Sequence, residues 1–84
     1  MIELTSRSRL HLSFPELLVE RPIIYEAANR FGVVPNIRRA NVETHTGWVI
    51  LELTGEQQAI DDAVSWFSEV GVIVNRMEGD VLES

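Results

Sequence analysis

Residues 48–53 read Trp-Val-Ile-Leu-Glu-Leu, and this stretch decides the fold. Val49, Leu51 and Leu53 alternate with the other three residues, which is the period of a β-strand with one buried face. Residues 9–14, Arg-Leu-His-Leu-Ser-Phe, alternate in the same way and stop at a proline. The sequence therefore predicts two strands that each bury one side.

Two stretches with helical periodicity follow these strands. Apolar residues recur at i, i+3, i+4 and i+7 in each stretch, namely Ile24, Ala27, Ala28 and Phe31 in the first and Ile60, Ala63, Val64 and Phe67 in the second. This spacing predicts one apolar face per helix. Pro22 suits the first helical position, and Gly32 and Gly71 suit the position just past each helix end. Thr54 and Gln57 have the spacing of a capping box, which predicts the start of the second helix.

Two further extended segments complete the order of elements. Residues 36–44 alternate imperfectly, which predicts a β-bulge near Arg38 and Arg39. Residues 45–47 are predicted to form a hairpin turn, and residues 72–77 a last strand.

The predicted order is therefore βαββαβ. Two helices with one apolar stripe each must bury it against one face of a sheet, and crossover connections are right-handed. We expect an α+β protein with a ferredoxin-like sandwich, in which two helices cover one face of a four-stranded antiparallel sheet. The first and third strands should lie in the middle. A single domain, residues 1–84, is predicted, with its core at about 7–77 and an acidic tail at 78–84.

The composition excludes several classes of function. The 84 residues contain no cysteine and no lysine, so a disulfide scaffold, an iron–sulfur cluster, a Schiff-base enzyme and a P-loop are excluded. No Ser, His or carboxylate set has a catalytic arrangement, and we expect neither an enzyme nor a cofactor. Asn41, Glu43 and His45 alternate on one strand, as weak zinc ligands could, but such a set is more often a polar edge.

The charge distribution indicates what the protein binds. The formal net charge is −6, which argues against nucleic acid as a partner. RNA-recognition modules share this strand order, but Ile50 and Glu52 occupy positions where aromatic or basic residues are usual. Residues 1–42 nevertheless carry a net charge of +2, with six arginines, and residues 43–84 carry −8. A local arginine cluster can therefore hold a carboxylate or a phosphate.

The sequence lacks the features of membrane insertion or export. It has no apolar run of about 18 residues. Residues 1–4 lack the basic-then-apolar order of a signal peptide. We expect a cytoplasmic protein with no membrane insertion.

The sheet face away from the helices is the second candidate surface. On the central strands it should carry Arg9, His11, Ser13, Trp48, Ile50 and Glu52. Trp48 and Ile50 are costly to expose to water, which favours a dimer, partner or ligand surface. Scattered exposed apolar residues are also normal, so this alternative stays open.

Residues 35–43 read Pro-Asn-Ile-Arg-Arg-Ala-Asn-Val-Glu, and they resemble the second strand of the NIL domain. That family is named for Asn-Ile-Leu; Asn36 and Ile37 match its first two residues, and Arg38 stands in place of the leucine. Asn41 begins an Asn-Val-Glu run similar to one that follows in the family. Further similarity covers most of the chain, at residues 9–15, 30–33, 51–55, 59–60 and 69–72.

The resemblance implies a βαββαβ fold and a ligand-binding regulatory role. NIL domains lie at the C-terminus of methionine-import ATPases, where they pair with a second copy and sense methionine. Others are fused to ferredoxin-type modules, and some stand alone, as this chain is expected to do. We therefore expect a homodimer that binds methionine or a related sulfur amino acid through Asn36, Ile37, Arg38 and Asn41, with Arg38 meeting the carboxylate.

A ligand-free interaction module is the alternative. It would dimerise or dock a transporter ATPase or a ferredoxin-type protein in trans, and its interface would contain Trp48 and Ile50.

Overall fold

The structure, a computed structural model, describes residues 5–77. Its elements follow the predicted βαββαβ order, with a short 3₁₀ turn after the first strand. They are β1 (Ser6–Phe14), the 3₁₀ turn (Glu16–Leu18), α1 (Ile23–Phe31), β2 (Val34–Val42), β3 (Gly47–Gly55), α2 (Gln57–Val70) and β4 (Ile73–Arg76). The acidic tail predicted at residues 78–84 lies outside the described residues.

The four strands form one antiparallel sheet in the order β2-β3-β1-β4. The central pair, β1 and β3, is in register from Ser6 opposite Gly55 to Phe14 opposite Gly47. β2 pairs with the outer side of β3, and β4 pairs with the outer side of β1. The ferredoxin-like α+β arrangement is thus confirmed, including the central position of the first and third strands.

The core lies between one sheet face and the two helices. The sheet contributes the alternating residues that the sequence predicted, and each helix contributes one stripe. The buried residues on the strands and helices are Leu10, Leu12, Phe14, Val49, Leu51, Leu53, Ile23, Ala27, Ile60, Ala63, Trp66 and Phe67. Full burial of one leucine contributes roughly 1.5 to 3 kcal/mol, so this layer supplies most of the driving force for folding.

The start of α2 corrects one prediction, because Thr54 does not cap the helix. Thr54 is still part of β3, where it lies opposite Arg7 in the ladder to β1. The ladder holds Thr54 in an extended conformation, and the N-cap residue is Glu56, which makes no side-chain capping bond. In the first turn, Gln57 Nε2 instead donates to Asp61 Oδ1 (3.0 Å).

β2 begins and ends two residues earlier than the predicted segment. The hairpin closes at Glu43, whose N–H donates to the carbonyl of Thr46 (2.8 Å), so the chain leaves the ladder after Val42. The register shifts between Ile37 and Arg39, which confirms the predicted bulge.

Both helices end at a glycine with positive φ, as predicted. Gly32 has φ 71° and Gly71 has φ 109°. A Cβ at Gly32 would meet nothing within 4 Å, whereas a Cβ at Gly71 would lie 3.4 Å from Leu18 Cδ1.

We expect Gly32→Ala to cost roughly 1 to 2 kcal/mol of unfolding free energy, which is the ordinary cost of a left-handed residue with a Cβ. Gly71→Ala should cost more, because its φ lies beyond the small left-handed region open to L-residues. Urea denaturation of both variants tests this. Equal losses, or a larger loss at Gly32, would contradict it.

Candidate functional site

An apolar pocket of about 240 Å³ opens beside the edge strand β2, on the helix side of the sheet. β2 contributes Ile37, Ala40 and Val42 to its lining. The segment between β1 and α1 contributes Leu18 and Val19, and the rest of the lining is Phe14, Arg21, Pro22, Ile23, Ile24, Tyr25, Gly47 and Val49. The pocket is therefore a gap between the edge of the sheet and the chain that leads into α1.

The pocket lining includes apolar side chains that are open to water. Ile37 is 54% exposed and Val42 is 64% exposed, although both lie on the side of the sheet that the helices cover elsewhere. Covering such groups is favourable by about 25 cal/mol per Å² of apolar surface. A small apolar ligand or a partner segment would gain free energy by occupying this pocket.

Arg21 is the one charged residue that the described part of the chain places in the pocket lining. Two hydrogen bonds hold its guanidinium on Glu26, from Nε to Oε2 (2.9 Å) and from the terminal nitrogen to Oε1 (2.8 Å). The guanidinium also lies over the ring of Trp66, 5.8 Å from its centroid. The hydrogen bond from Arg21, with the positive charges of Arg21 and Arg30, lowers the pKa of Glu26 against an opposing effect of burial.

A second polar contact connects the two chain segments beside the pocket. His45 Nδ1, in the turn between β2 and β3, lies 2.7 Å from Glu16 Oε2 in the 3₁₀ turn. Both side chains are mostly exposed, so the pair contributes little to stability. This contact connects the 3₁₀ turn, which contributes Leu18 to the lining, with the hairpin turn that precedes the lining residue Gly47.

The opposite sheet face carries a partly buried ion pair. Arg9 donates to Glu52 at 2.6 Å, and the Glu52 side chain is only 13% exposed. The hydrogen bond from Arg9 lowers the pKa of Glu52 against the effect of burial, and the positive charges of Arg9, Arg38 and Arg7 lower it further. Three arginines, Arg7, Arg9 and Arg38, therefore act on one carboxylate on this face.

The two residues predicted as an interface, Trp48 and Ile50, also lie on this open face, and both are half-buried. Trp48 stacks on His11, with ring centroids 5.5 Å apart and an interplanar angle of 16°. This stack shields part of the indole. Ile73 of β4 is the more exposed apolar residue here, at 58%.

The structure distributes the four predicted ligand residues over both sides of β2. Ile37 lies opposite Leu51 and lines the pocket. Asn36 lies opposite Glu52 and Asn41 opposite Trp48, so these two share the open face, because directly opposed residues share a side. Arg38 is at the bulge, close enough to Glu52 to affect its pKa. A common ligand for all four stays a prediction.

The sequence reasoning missed the part of the pocket that precedes α1. A signal was present, because Leu17, Leu18 and Val19 form an apolar run between two prolines without the period of a strand or a helix. Such a run indicates a segment that packs on another element.

Residues 5–77 contain neither a candidate metal site nor a membrane-spanning helix. Within this range no group of three or more His, Cys, Asp or Glu side chains could hold a metal ion. No helix in this range is long and apolar enough to cross a membrane.

Comparison with known proteins agrees with a ferredoxin-like α+β domain and identifies its family. The chain matches the NIL domain over residues 8–76, and it belongs to the NIL domain family. It is structurally similar to the C-terminal domain of an ABC transporter ATP-binding protein from Enterococcus faecalis. The TM-score is 0.73 at 22% identity, over 83% of this chain and 82% of that one, which shows a shared fold.

One curated relative has a name from sulfur chemistry. Over 55 residues the chain is 33% identical to the L-aspartate semialdehyde sulfurtransferase iron-sulfur subunit of Methanocaldococcus jannaschii. The match covers 66% of this chain and 42% of that subunit, so this chain corresponds to less than half of its relative.

The lowered pKa of Glu52 predicts a pH-dependent contribution to stability. That contribution is present above the ordinary glutamate pKa of 4.5 and is lost as the pH falls through the lower pKa of the folded state. Glu52→Gln should therefore lower the free energy of unfolding by roughly 1 to 3 kcal/mol at pH 7. The difference in this free energy between wild type and variant should shrink below pH 4.5.

Thermal unfolding from pH 7 to pH 3 measures this difference. Glu69→Gln, which removes an exposed carboxylate from α2, is the control for net charge. A loss of stability in Glu52→Gln that is the same at every pH would show that the ion pair is not the cause of this loss.

Proposed function

We propose that this chain is a small-molecule-binding regulatory module that senses methionine or a related sulfur amino acid as a homodimer. The observation that carries the proposal is the apolar pocket beside β2, with one arginine in its lining. Membership of the NIL domain family supports a regulatory role rather than a catalytic one. The sulfur chemistry named for the curated relative supports the choice of ligand class.

The size of the pocket favours a ligand as small as an amino acid. Pockets for drug-sized ligands hold roughly 300 to 1,000 Å³. The pocket here, at about 240 Å³, lies just below that range. A thioether side chain is unbranched and apolar, so it can enter a lining of Leu18, Val19, Ile37 and Val42 without leaving a buried polar group unsatisfied.

The exposed edge of β2 supports the homodimer. β2 pairs on one side only, and Val34, Ile37 and Val42 are more than half exposed on it. An exposed apolar edge strand is a template for pairing with another chain. A second copy paired there would lie next to the pocket and also next to Asn36, Arg38 and Asn41, which we keep as residues near the ligand.

Methionine should raise the melting temperature of the purified protein. At about 100 times its dissociation constant it adds roughly 2.7 kcal/mol, which corresponds to a rise on the order of 10 °C for a domain of this size. Homocysteine, cysteine and S-adenosylmethionine test the ligand class, and glutamate serves as an unrelated amino acid. No rise with any sulfur compound would contradict the proposal.

Ile37→Glu should abolish this rise, because it places a charge in the pocket lining. Ile73→Glu is the matched control, since Ile73 is an isoleucine of similar exposure (58% against 54%) on the opposite edge strand. Thermal-shift titration of both variants gives the comparison. Equal responses of the two variants to methionine would show that the ligand does not bind in the pocket.

A protein-interaction module is the second candidate function. The observation that favours it is the relative that is an iron–sulfur subunit, since these 84 residues contain no cysteine and would contact a cluster-bearing domain rather than hold the cluster. The open face, with Trp48 and Ile50 beside an arginine cluster, is the surface that such a partner would cover.

The two candidates predict different effects on association. If the open face is the interface, Trp48→Asp lowers the mass found by light scattering while circular dichroism shows an intact fold. If the β2 edge is the interface, Ile37→Glu lowers the mass and Trp48→Asp leaves it unchanged. A wild-type monomer in this measurement would contradict the homodimer.

A further inference from the structure

The open sheet face carries three exposed arginines, Arg7, Arg38 and Arg39. The positive charges of Arg7 and Arg38 help to lower the pKa of Glu52, so both lie near this carboxylate. Arg39 lies opposite Ile50 of β3, and directly opposed residues share a side of the sheet. Cations from β1 and β2 therefore flank the central strand β3.

These three arginines have no ion-pair partner among residues 5–77. Every other arginine in this range contacts a carboxylate or an aromatic ring: Arg9 pairs with Glu52, Arg21 with Glu26 and Arg76 with Asp61, and Arg30 lies over Phe31 and Trp66. A guanidinium stays charged at any physiological pH, and its planar fork of N–H donors matches a carboxylate. The open face thus presents three charges that another molecule can bind.

The acidic residues of the described range lie mainly elsewhere on the molecule. Apart from Glu52, they are in the turns, in the helices or next to them, namely Glu16, Glu20, Glu26, Glu43, Glu56, Asp61, Asp62 and Glu69. The open face has four arginines, including Arg9, against one glutamate, so its formal charge is positive on a chain with a net charge of −6. This segregation of charge attracts an anionic partner to the open face and to no other side of the molecule.

The spacing of the arginines fits an extended surface better than one small anion. Arg7 lies opposite Thr54 and Arg39 opposite Ile50, so the two positions are four residues apart along β3, which is about 13 Å. They are also two strands apart across the sheet, which adds about 10 Å in the other direction. A single carboxylate is much smaller than this span, whereas several carboxylates on a protein surface can match it.

The aromatic residues of the open face favour a protein over a single-stranded nucleic acid. Nucleic-acid platforms offer free aromatic faces on which bases stack. Trp48 is half-buried and already stacks on His11, at 5.5 Å between ring centroids, so one face of its indole is occupied. Arginine and tryptophan are the residue types that dominate protein interfaces, and Ile50 adds apolar surface beside them.

We infer that the open face docks a partner protein through an acidic surface of that partner. Its carboxylates bind Arg7, Arg38 and Arg39, and its apolar groups cover Trp48 and Ile50. The inference goes beyond the sensor function, because it needs no ligand in the pocket. It rests on the second candidate function for the existence of a partner, and it names the chemistry by which that partner is recognised.

Fluorescence anisotropy of the whole chain with a labelled octaglutamate peptide tests the inference. Wild type should bind octaglutamate more tightly than octaglutamine, and added salt should weaken the binding. Arg7→Gln, Arg38→Gln and Arg39→Gln should each raise the dissociation constant roughly 1.5-fold to fivefold, and the triple variant on the order of tenfold or more. Arg30→Gln is the matched control, because it removes one exposed positive charge from α1 and should leave octaglutamate binding unchanged. Circular dichroism checks that each variant folds.

The two tryptophans of the chain report where the peptide binds. Trp48 lies on the open face, and Trp66 is buried under the helices, at 7% exposure. In NMR spectra, octaglutamate should shift the indole N–H signal of Trp48 and leave that of Trp66 in place. A shift of Trp66 alone would place the acidic partner on the helix side and overturn the inference.

Other occupants of the face give different results. Tighter binding of an eight-residue thymidine oligonucleotide than of octaglutamate would assign the face to nucleic acid, and displacement of the peptide by an equal concentration of inorganic phosphate would assign it to a small anion. A wild-type dimer that the triple variant dissociates would assign the face to a second copy. Peptide binding that appears only after removal of residues 78–84 would assign it to the chain's own acidic end. Each of these results would overturn the inference.

The outcomes also separate the inference from the proposed functions. If methionine raises the melting temperature and octaglutamate does not bind, the inference is overturned and the sensor function stands. If octaglutamate binds in an arginine-dependent manner and methionine has no effect, the inference stands and the sensor function fails. If Trp48→Asp lowers the mass while octaglutamate does not bind, the open face is an interface, but acidic recognition is overturned.

Discussion

The antiparallel pairing of β1 with β3 is the constraint on which the rest of the structure depends. Its register places Leu10 opposite Leu51 and Leu12 opposite Val49, so the apolar residues of both central strands face the same side. A register shift of one residue would turn the apolar side chains of one strand toward water, so several side chains would lose their burial at once. This pairing therefore decides which face the helices cover and which face stays open.

The edge strand β2 takes part in both faces and gives the domain two separate surfaces. On the covered side, the chain before α1 leaves a gap over Ile37 and Val42, and this gap is the apolar pocket. On the open side, β2 places Asn36 and Asn41 beside Glu52 and Trp48. The pocket suits a small ligand and the open face suits a larger partner.

The sequence was sufficient to predict the fold, and it was less informative about the site. Alternation of apolar residues revealed the central strands because a half-buried strand has a period of two. The capping box at Thr54 was wrong because a tertiary ladder to β1 extends β3 past that residue. The contact of Glu16 with His45 spans 29 positions, and the pocket joins the segment before α1 to residues of β2 that are distant in sequence, so neither has a local signal. The family resemblance indicated ligand residues on β2, which borders both the pocket and the open face.

The most direct test of the central claim is a methionine titration followed by NMR spectra of the methyl groups. Methionine should shift most strongly the methyl signals of residues that line the pocket, namely Leu18, Val19, Ile37 and Val42. Ile50 and Ile73, on the open face, should stay nearly unchanged. Shifts that concentrate on Ile50 and Ile73 would place the ligand on the wrong side of the sheet, and an absence of shifts at saturating methionine would contradict a sensor of this amino acid.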